Sequence, residues 1–214
     1  MSKGQLGRFV RMAREWSPYP EQRPDVGVPH QGWSHEESGS LLLAECNSNT
    51  RVIVEVGSFL GFSAMEMAKK AVNATIICLD TWLGGTMSFR CASVHLDMHR
   101  RMWEIFCANT WELRHRIVPL RNDSVSGLLE LKEYEIEPDL MYIDGGHEYL
   151  TCRNDISLAV ESFPTAVIIC DDYDYVGVTQ AANEAAETSR RQFTPGRGAC
   201  RFGQQPPGIP TTVF

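Results

Sequence analysis

Five short apolar runs alternate with longer amphipathic stretches along the chain. Each run has four or five residues, and most are rich in Val, Ile and Leu: Val52–Val56, Thr75–Leu79, Ile117–Leu120, Leu140–Ile143 and Ala166–Cys170. Such runs are typical of strands buried on both faces of a parallel sheet. The stretches between and after them predict helices at about 62–73, 93–114, 124–133, 149–161 and 176–190. The alternation predicts an α/β fold with a doubly wound, mostly parallel, Rossmann-like sheet and helices on both faces.

The segments on either side of this pattern are less regular. Residues 17–32 are rich in Pro and Gly, so we expect residues 1–32 to be an irregular N-terminal lead-in to one domain spanning 33–214. Ser34, with Glu37 three residues later, forms a capping box that predicts a helix through about Glu45. The tail, 193–214, is again rich in Gly and Pro. Its short apolar runs could add antiparallel edge strands or serve a partner chain in a homo-oligomer.

The composition narrows the classes of partner. The chain has 214 residues, of which 43% are apolar and 22% charged, and its formal net charge is −7. This charge repels polyanions, and no Lys/Arg-rich run offsets it, so nucleic acid is disfavoured as a partner. The sequence lacks the uninterrupted apolar stretch of about 18 residues that a membrane-spanning helix needs. These features fit a protein that acts on a small molecule.

The cysteines and the N-terminus bear on the compartment. Seven cysteines are scattered along the chain without a C-x-x-C pair, which disfavours a zinc site and favours a reducing environment. Residues 1–16 are basic, but they lack the apolar core of a secretory signal. We therefore expect a cytoplasmic protein.

Glycine and acidic residues follow the first two predicted strands. In open parallel sheets, ligands bind beyond the carboxyl ends of the strands. Gly57 and Gly61 allow a tight turn and close approach of a ligand to the backbone, although a plain strand-to-helix turn is the alternative. Asp80 lies 23 residues beyond Gly57, where a carboxylate can accept hydrogen bonds from ribose hydroxyls or cap the next segment. Asp123 and Ser124, after the third strand, either bracket an adenine or cap a helix.

Three acids and a histidine follow the fourth and fifth strands. Asp144, Asp171 and Asp172 are expected at one rim of the sheet, where clustered carboxylates repel each other unless a cation neutralises them. Carboxylate oxygens suit Mg²⁺, so these three residues are the predicted metal ligands. His147, three residues past Asp144, is a candidate general base, and a surface hydrogen bond is its alternative role.

Two segments resemble a known family. Val54-Glu55-Val56-Gly57-x-x-x-Gly61-x-Ser63, together with Asp80, resembles the class I S-adenosylmethionine-dependent methyltransferases. The stretch from Asp139 to Tyr149, with Asp155 and Asp171-Asp172-Tyr173, resembles the small-molecule O-methyltransferases that include the macrocin and mycinamicin sugar enzymes. Their fifth strand tends to end in Glu-Asp, and the Asp-Asp of this chain shortens one acidic arm by a methylene.

The resemblance implies a role for each matching residue. Glu55, Gly57 and Ser63 would contact the amino-acid part of S-adenosylmethionine, and Asp80 would hold its ribose. The residues expected to contact the cofactor are Glu55, Gly57, Ser58, Gly61, Ser63, Asp80, Thr81, Trp82, Asp123, Ser124 and Asp144. The catalytic residues would be His147 and Asp144, with Asp144, Asp171 and Asp172 on Mg²⁺. The implied reaction is methyl transfer to a hydroxyl of a sugar or natural product.

Several alternatives remain open from the sequence. His35, Trp82, Tyr173 and Tyr175 are candidates for a substrate-binding wall, but ordinary packing explains an aromatic residue equally well. A phenol is the second candidate substrate. A nicotinamide-dependent oxidoreductase and a methyltransferase-like binding module without methyl transfer are the competing functions.

Overall fold

One seven-stranded sheet organises the described part of the chain. The computed structural model describes residues 2–27, 36–84 and 98–206. The strands are β1 Val52–Val56, β2 Thr75–Asp80, β3 Ile117–Arg121, β4 Leu140–Ile143, β5 Val167–Asp171, β6 Phe193–Pro195 and β7 Ala199–Phe202. Their order is β3-β2-β1-β4-β5-β7-β6. The first five are parallel, while β7 runs antiparallel to both β5 and β6. The predicted sheet and its antiparallel edge pair are therefore present.

Helices cover both faces of this sheet. They are α1 Lys3–Trp16, α2 Glu36–Glu45, α3 Phe62–Lys70, α4 Met102–Asn109, α5 Ser124–Glu133, α6 Tyr149–Ser162 and α7 Val176–Thr188, with a 3₁₀ turn at Trp111–Leu113. The predicted helix at 93–114 is interrupted twice within the described residues, by a turn at Arg101 between helical residues 98–100 and α4, and again after Asn109, where α4 ends before the 3₁₀ turn. Its first residues, 93–97, and the predicted cap Ser34 lie outside the described residues.

Two apolar layers sandwich the sheet. Val54 and Ile77 face a layer built with α1, α5, α6 and α7, whereas Ile53 and Ile76 face a layer built with α2, α3 and α4. All residues of β1 and β4 are buried. This is the burial expected of central parallel strands, whose successive side chains point to opposite faces. None of the described helices is long and apolar enough to cross a membrane.

The expectation that residues 1–32 are irregular was wrong for its first half. Helix α1 begins with a capping box, in which Ser2 and Gln5 exchange hydrogen bonds. Phe9 and Ala13 are fully buried in the layer below β3. Together with Leu6 and Val10, they follow the spacing of an apolar helix face. The basic residues between them hid this pattern, so α1 belongs to the core of the domain.

Candidate active site

The carboxyl ends of four adjacent parallel strands meet at one edge of the sheet. The sheet order places β2, β1, β4 and β5 side by side. The chain leaves β1 toward β2 on one side and β4 lies on the other, so the strand order reverses at β1. Ligands of open α/β sheets bind at such a reversal. The segments after these strands hold most of the residues that the sequence singled out.

The loop after β1 needs both of its glycines. Gly57 has φ +89°, and a Cβ there would collide with the backbone carbonyl of Asp144. Gly61 has φ +82°, and a Cβ there would lie 2.7 Å from the Thr110 side chain and 3.0 Å from Phe106. The loop is therefore pressed against the segment after β4 on one side and against the end of α4 on the other. Helix α3 begins directly after Gly61 with its first amides at this edge.

A buried carboxyl group lies beneath this loop. Glu55 is fully buried, and Ser63 donates a 2.5 Å hydrogen bond to its Oε1. Ser58 and Cys78 lie beside it, yet Oε2 has no partner of normal geometry within the described residues. Burial raises the pKa of Glu55 to about 7. A buried carboxylate with an unpaired oxygen fits a cationic group such as the ammonium of an amino acid.

Asp80 joins the loops after β1 and β2. Its two oxygens accept hydrogen bonds from the backbone N–H groups of Phe59, at 2.8 Å, and Trp82, at 2.7 Å. Both partners have positive φ, +44° and +51°, and the Trp82 indole N–H donates to the Phe59 carbonyl at 2.8 Å. Each carboxylate oxygen can accept a further bond. Desolvation raises the pKa of Asp80 above its usual value. The geometry fits a carboxylate fixed in place to receive hydroxyl donors.

The segment after β3 forms the start of helix α5. Asp123 is the N-cap of α5 and accepts a 3.0 Å bond from the Ser126 N–H, which lowers its pKa. Ser124 donates a 2.5 Å hydrogen bond to Asp155 on α6. Of the two roles left open by the sequence, the structure shows the capping one for Asp123, whereas the Ser124 hydroxyl bonds Asp155. Contact of Asp123 or Ser124 with adenine stays a prediction.

Asp144, His147 and Asp172 come together after β4 and β5. Each offers one ligand atom, and these atoms lie within 4.8 Å of one another. His147 Nε2 lies 2.6 Å from Asp172 Oδ2, and the Tyr175 ring stacks on the imidazole with 4.9 Å between centroids. Desolvation, and then the charges of Asp171 and Asp172, raise the pKa of Asp144 well above its usual value. The bond to Asp172 raises the pKa of His147. Such a group can hold a divalent cation or work as a base supported by carboxylates.

Asp171, the third predicted metal ligand, lies outside that group. It is 5% exposed; its Oδ2 accepts the Tyr142 hydroxyl at 2.5 Å and its Oδ1 accepts the Asp172 N–H at 2.9 Å. The Tyr142 hydroxyl also lies within hydrogen-bonding reach of Asp144. The sequence did not reveal the part played by Tyr142, because on a buried strand a tyrosine has the same pattern as an apolar residue.

The candidates for a substrate-binding wall differ in their exposure and in their contacts. Trp82 is 4% exposed and packs against Trp103 and Phe106, with ring centroids 5.0 and 4.6 Å away, so packing explains it. Tyr175 is 45% exposed beside His147. The Tyr173 hydroxyl donates to Asn183 on α7. His35 lies outside the described residues.

Comparison with known families decides the class of protein. A family model described as a methyltransferase domain matches residues 54–173, more than half of the chain. The chain belongs to this methyltransferase family. The matched range contains the glycine loop, Asp80, His147 and both acids at the end of β5. This match argues against the alternative function of a nicotinamide-dependent oxidoreductase. No curated protein sequence matches this methyltransferase significantly.

Solved structures share the fold of this methyltransferase. The methyltransferase PaMTH1 of Podospora anserina, with S-adenosylhomocysteine bound, matches with a TM-score of 0.55 and 13% identity, covering 96% of this chain and 89% of its own. The calicheamicin enzyme CalS11, a TDP-rhamnose 3'-O-methyltransferase, matches with a TM-score of 0.50 and 18% identity, covering 78% and 76%. MycE of mycinamycin biosynthesis, solved with Mg and S-adenosylhomocysteine, matches with a TM-score of 0.50 and 13% identity, covering 78% and 49%. These likenesses establish the class I methyltransferase fold.

Proposed function

We propose that this protein is an S-adenosylmethionine-dependent O-methyltransferase that acts on a hydroxyl of a small molecule of sugar or natural-product type. The observation that carries the proposal is the placement of His147, paired with Asp172 and beside Asp144, on the same sheet edge as the glycine loop and Asp80. CalS11 methylates a sugar hydroxyl, which supports the substrate class. The match to a methyltransferase family supports methyl transfer as the reaction.

Residues at and directly after the carboxyl ends of β1 and β2 would bind the cofactor. Glu55 Oε2 is available for its ammonium group, the amides at the start of α3 for its carboxylate, and Asp80 for its ribose. When bound, S-adenosylmethionine would supply an electrophilic methyl group to the acceptor oxygen, with S-adenosylhomocysteine as the leaving group. Ser58, Gly61, Thr81 and Trp82 belong to the same two loops and shape them. The protein therefore has mainly to align donor and acceptor, which can supply a large part of the rate enhancement.

His147 would take the proton of the acceptor hydroxyl. Its Nδ1 is enclosed and lacks a hydrogen-bond partner among the described residues, whereas its Nε2 contacts Asp172 Oδ2 at 2.6 Å. An acceptor hydroxyl that displaces this direct contact would give its proton to Nε2, and the nearby Asp172 carboxylate would stabilise the resulting imidazolium. Asp144 and Asp172 would hold Mg²⁺, which takes few protein carboxylates and lowers the pKa of a bound hydroxyl. The Mg²⁺ in the MycE structure supports this part.

The described cysteines fit a reducing compartment. Cys46, Cys78, Cys107, Cys152, Cys170 and Cys200 are all unpaired and buried. Disulfides are rare in the cytoplasm and common in oxidising compartments. We include a cytoplasmic location in the proposal on this ground.

Radiolabelled methyl transfer tests the proposed reaction. The wild-type protein would be incubated with methyl-labelled S-adenosylmethionine and panels of nucleotide sugars, glycosylated natural products and phenols, with Mg²⁺ and with EDTA. We expect labelling of a hydroxylated acceptor, and His147→Ala should lower the rate on the order of 10²–10⁴-fold while cofactor affinity stays nearly unchanged. Equal turnover by His147→Ala would remove this residue from the chemistry. Cofactor binding without transfer to any acceptor would favour the binding-module alternative.

A further inference from the structure

The two acids at the end of β5 have different surroundings. Asp171 is the last residue of the strand, and both of its oxygens accept hydrogen bonds inside the protein. Asp172 is the next residue, and its carboxylate reaches His147 Nε2 at 2.6 Å. Neighbouring residues of an extended strand point to opposite sides. The backbone therefore has to turn after Asp171 for the Asp172 side chain to reach the loop after β4.

That turn is made by a backbone conformation that few residues adopt. Asp172 has φ +55°, in the left-handed region that L side chains other than Asn and Asp seldom enter. Its N–H donates to Asp171 Oδ1 at 2.9 Å, and its carbonyl accepts the Tyr175 N–H at 2.8 Å. Both backbone polar groups of Asp172 are thus held, one by the Asp171 side chain and the other by the start of α7.

Asp171 is in turn anchored from β4. The Tyr142 hydroxyl donates to Asp171 Oδ2 at 2.5 Å, and the Tyr142 side chain is 1% exposed. Tyr142 pairs with Ile169 in the register of β4 and β5, so the anchor is part of the central sheet. A rigid chain of contacts therefore runs from Tyr142 through Asp171 to the backbone of Asp172, and from its carboxylate to His147.

We propose that Asp171 is a positioning residue that holds Asp172 in its left-handed turn against His147, and that it does not ligate the metal. The inference rests on the proposed function, in which Asp144 and Asp172 are the metal carboxylates and His147 is the base. It replaces the three-carboxylate set expected from the sequence with two carboxylates, a number that Mg²⁺ commonly takes from proteins. Loss of such a supporting contact typically lowers metal affinity or activity 10–100-fold.

Two substitutions at one position separate the roles. Asp171→Asn removes the charge but keeps an oxygen for the Asp172 N–H, whereas Asp171→Ala removes both hydrogen bonds. With Mn²⁺ as the paramagnetic probe, Asp171→Asn should bind within about threefold of wild type, and Asp172→Asn should bind more than tenfold more weakly. Asp171→Ala should lower kcat about 10–100-fold with little change in the KM for the cofactor, and Asp171→Asn should restore most of it.

Crystal structures of both Asp171 variants give a readout that needs neither metal nor turnover. Asp172 should keep its positive φ and its contact with His147 in Asp171→Asn and lose both in Asp171→Ala. Equal weakening of Mn²⁺ binding by Asp171→Asn and Asp172→Asn would overturn the proposal, and so would an unchanged Asp172 in Asp171→Ala. If the wild-type protein does not bind Mn²⁺, the metal part of the proposed function fails, and the two crystal structures alone decide the role of Asp171.

Discussion

Substituting Gly57 by alanine tests how closely the loop after β1 approaches the segment after β4. Alanine at φ +89° carries a backbone cost of about 1–2 kcal/mol, because its Cβ crowds the following carbonyl in the left-handed region. The new Cβ also meets the carbonyl of Asp144 and the Cα of Gly145, which are backbone atoms that cannot rotate away. Overpacking of this kind costs about 1–3 kcal/mol. Gly57→Ala should therefore lower the free energy of unfolding by about 2–5 kcal/mol.

Gly27 provides a matched control for the backbone term. It also has a positive φ, +68°, but a Cβ there meets no atom of the described residues within 4 Å. Gly27→Ala should lose only about 1–2 kcal/mol, and both variants gain equally from a stiffer unfolded chain. Urea unfolding followed by circular dichroism measures both values, with a constant m-value showing that the unfolded state is unchanged. If Gly57→Ala loses no more stability than Gly27→Ala, the loop after β1 does not pack against the segment after β4.

The remaining predictions concern a buried acid and the first helix. The Glu55 pKa is about 7 in the fold and near 4.5 in the unfolded chain, so its contribution to stability is full below pH 4.5 and is lost as the pH rises through 7. Glu55→Gln should remove about 3 kcal/mol of that decline between pH 4.5 and 8, as measured by urea unfolding at each pH, and an unaltered profile would contradict the raised pKa. Phe9→Ala should lower the free energy of unfolding by about 3–5 kcal/mol, because Phe9 is fully buried. Trp16→Ala, at a 65% exposed position of the same helix, should change it by less than about 1 kcal/mol, and similar losses in both variants would mean that α1 is not part of the core.

The sequence predicted the central fold well because parallel strands buried on both faces leave uninterrupted apolar runs. The bounds of β1 and β4 match the apolar runs at Val52–Val56 and Leu140–Ile143. Helix α1 was not predicted because arginines separate its apolar residues. Its buried face is indicated only by the helical spacing of Leu6, Phe9, Val10 and Ala13. The prediction that residues 1–32 are irregular rested on the Pro-rich segment that follows this helix.

At the site, the sequence identified which residues lie near each other but not how each is used. Asp171 and Asp172 are chemically identical neighbours, and only the left-handed turn after β5 directs one inward to Tyr142 and the other to His147. From its residue type and its position after β2, Trp82 could line a ligand site. Its positive φ and the hydrogen bond from its indole to the Phe59 carbonyl instead place its side chain in the core. Such differences depend on backbone conformation and on contacts between distant segments, which residue types alone do not encode.

Calorimetric titration with S-adenosylhomocysteine tests most directly the central claim that the edge formed by the glycine loop and Asp80 binds the cofactor. The wild-type protein should bind it, with Asp80→Ala weakening the affinity more than about tenfold, since one hydrogen bond to a charged group contributes about 1.5–3 kcal/mol. Glu187→Gln, which removes an exposed acid on α7, is the matched control and should bind like wild type. Absence of binding by the wild-type protein, or equal affinity in Asp80→Ala, would contradict this account of the site.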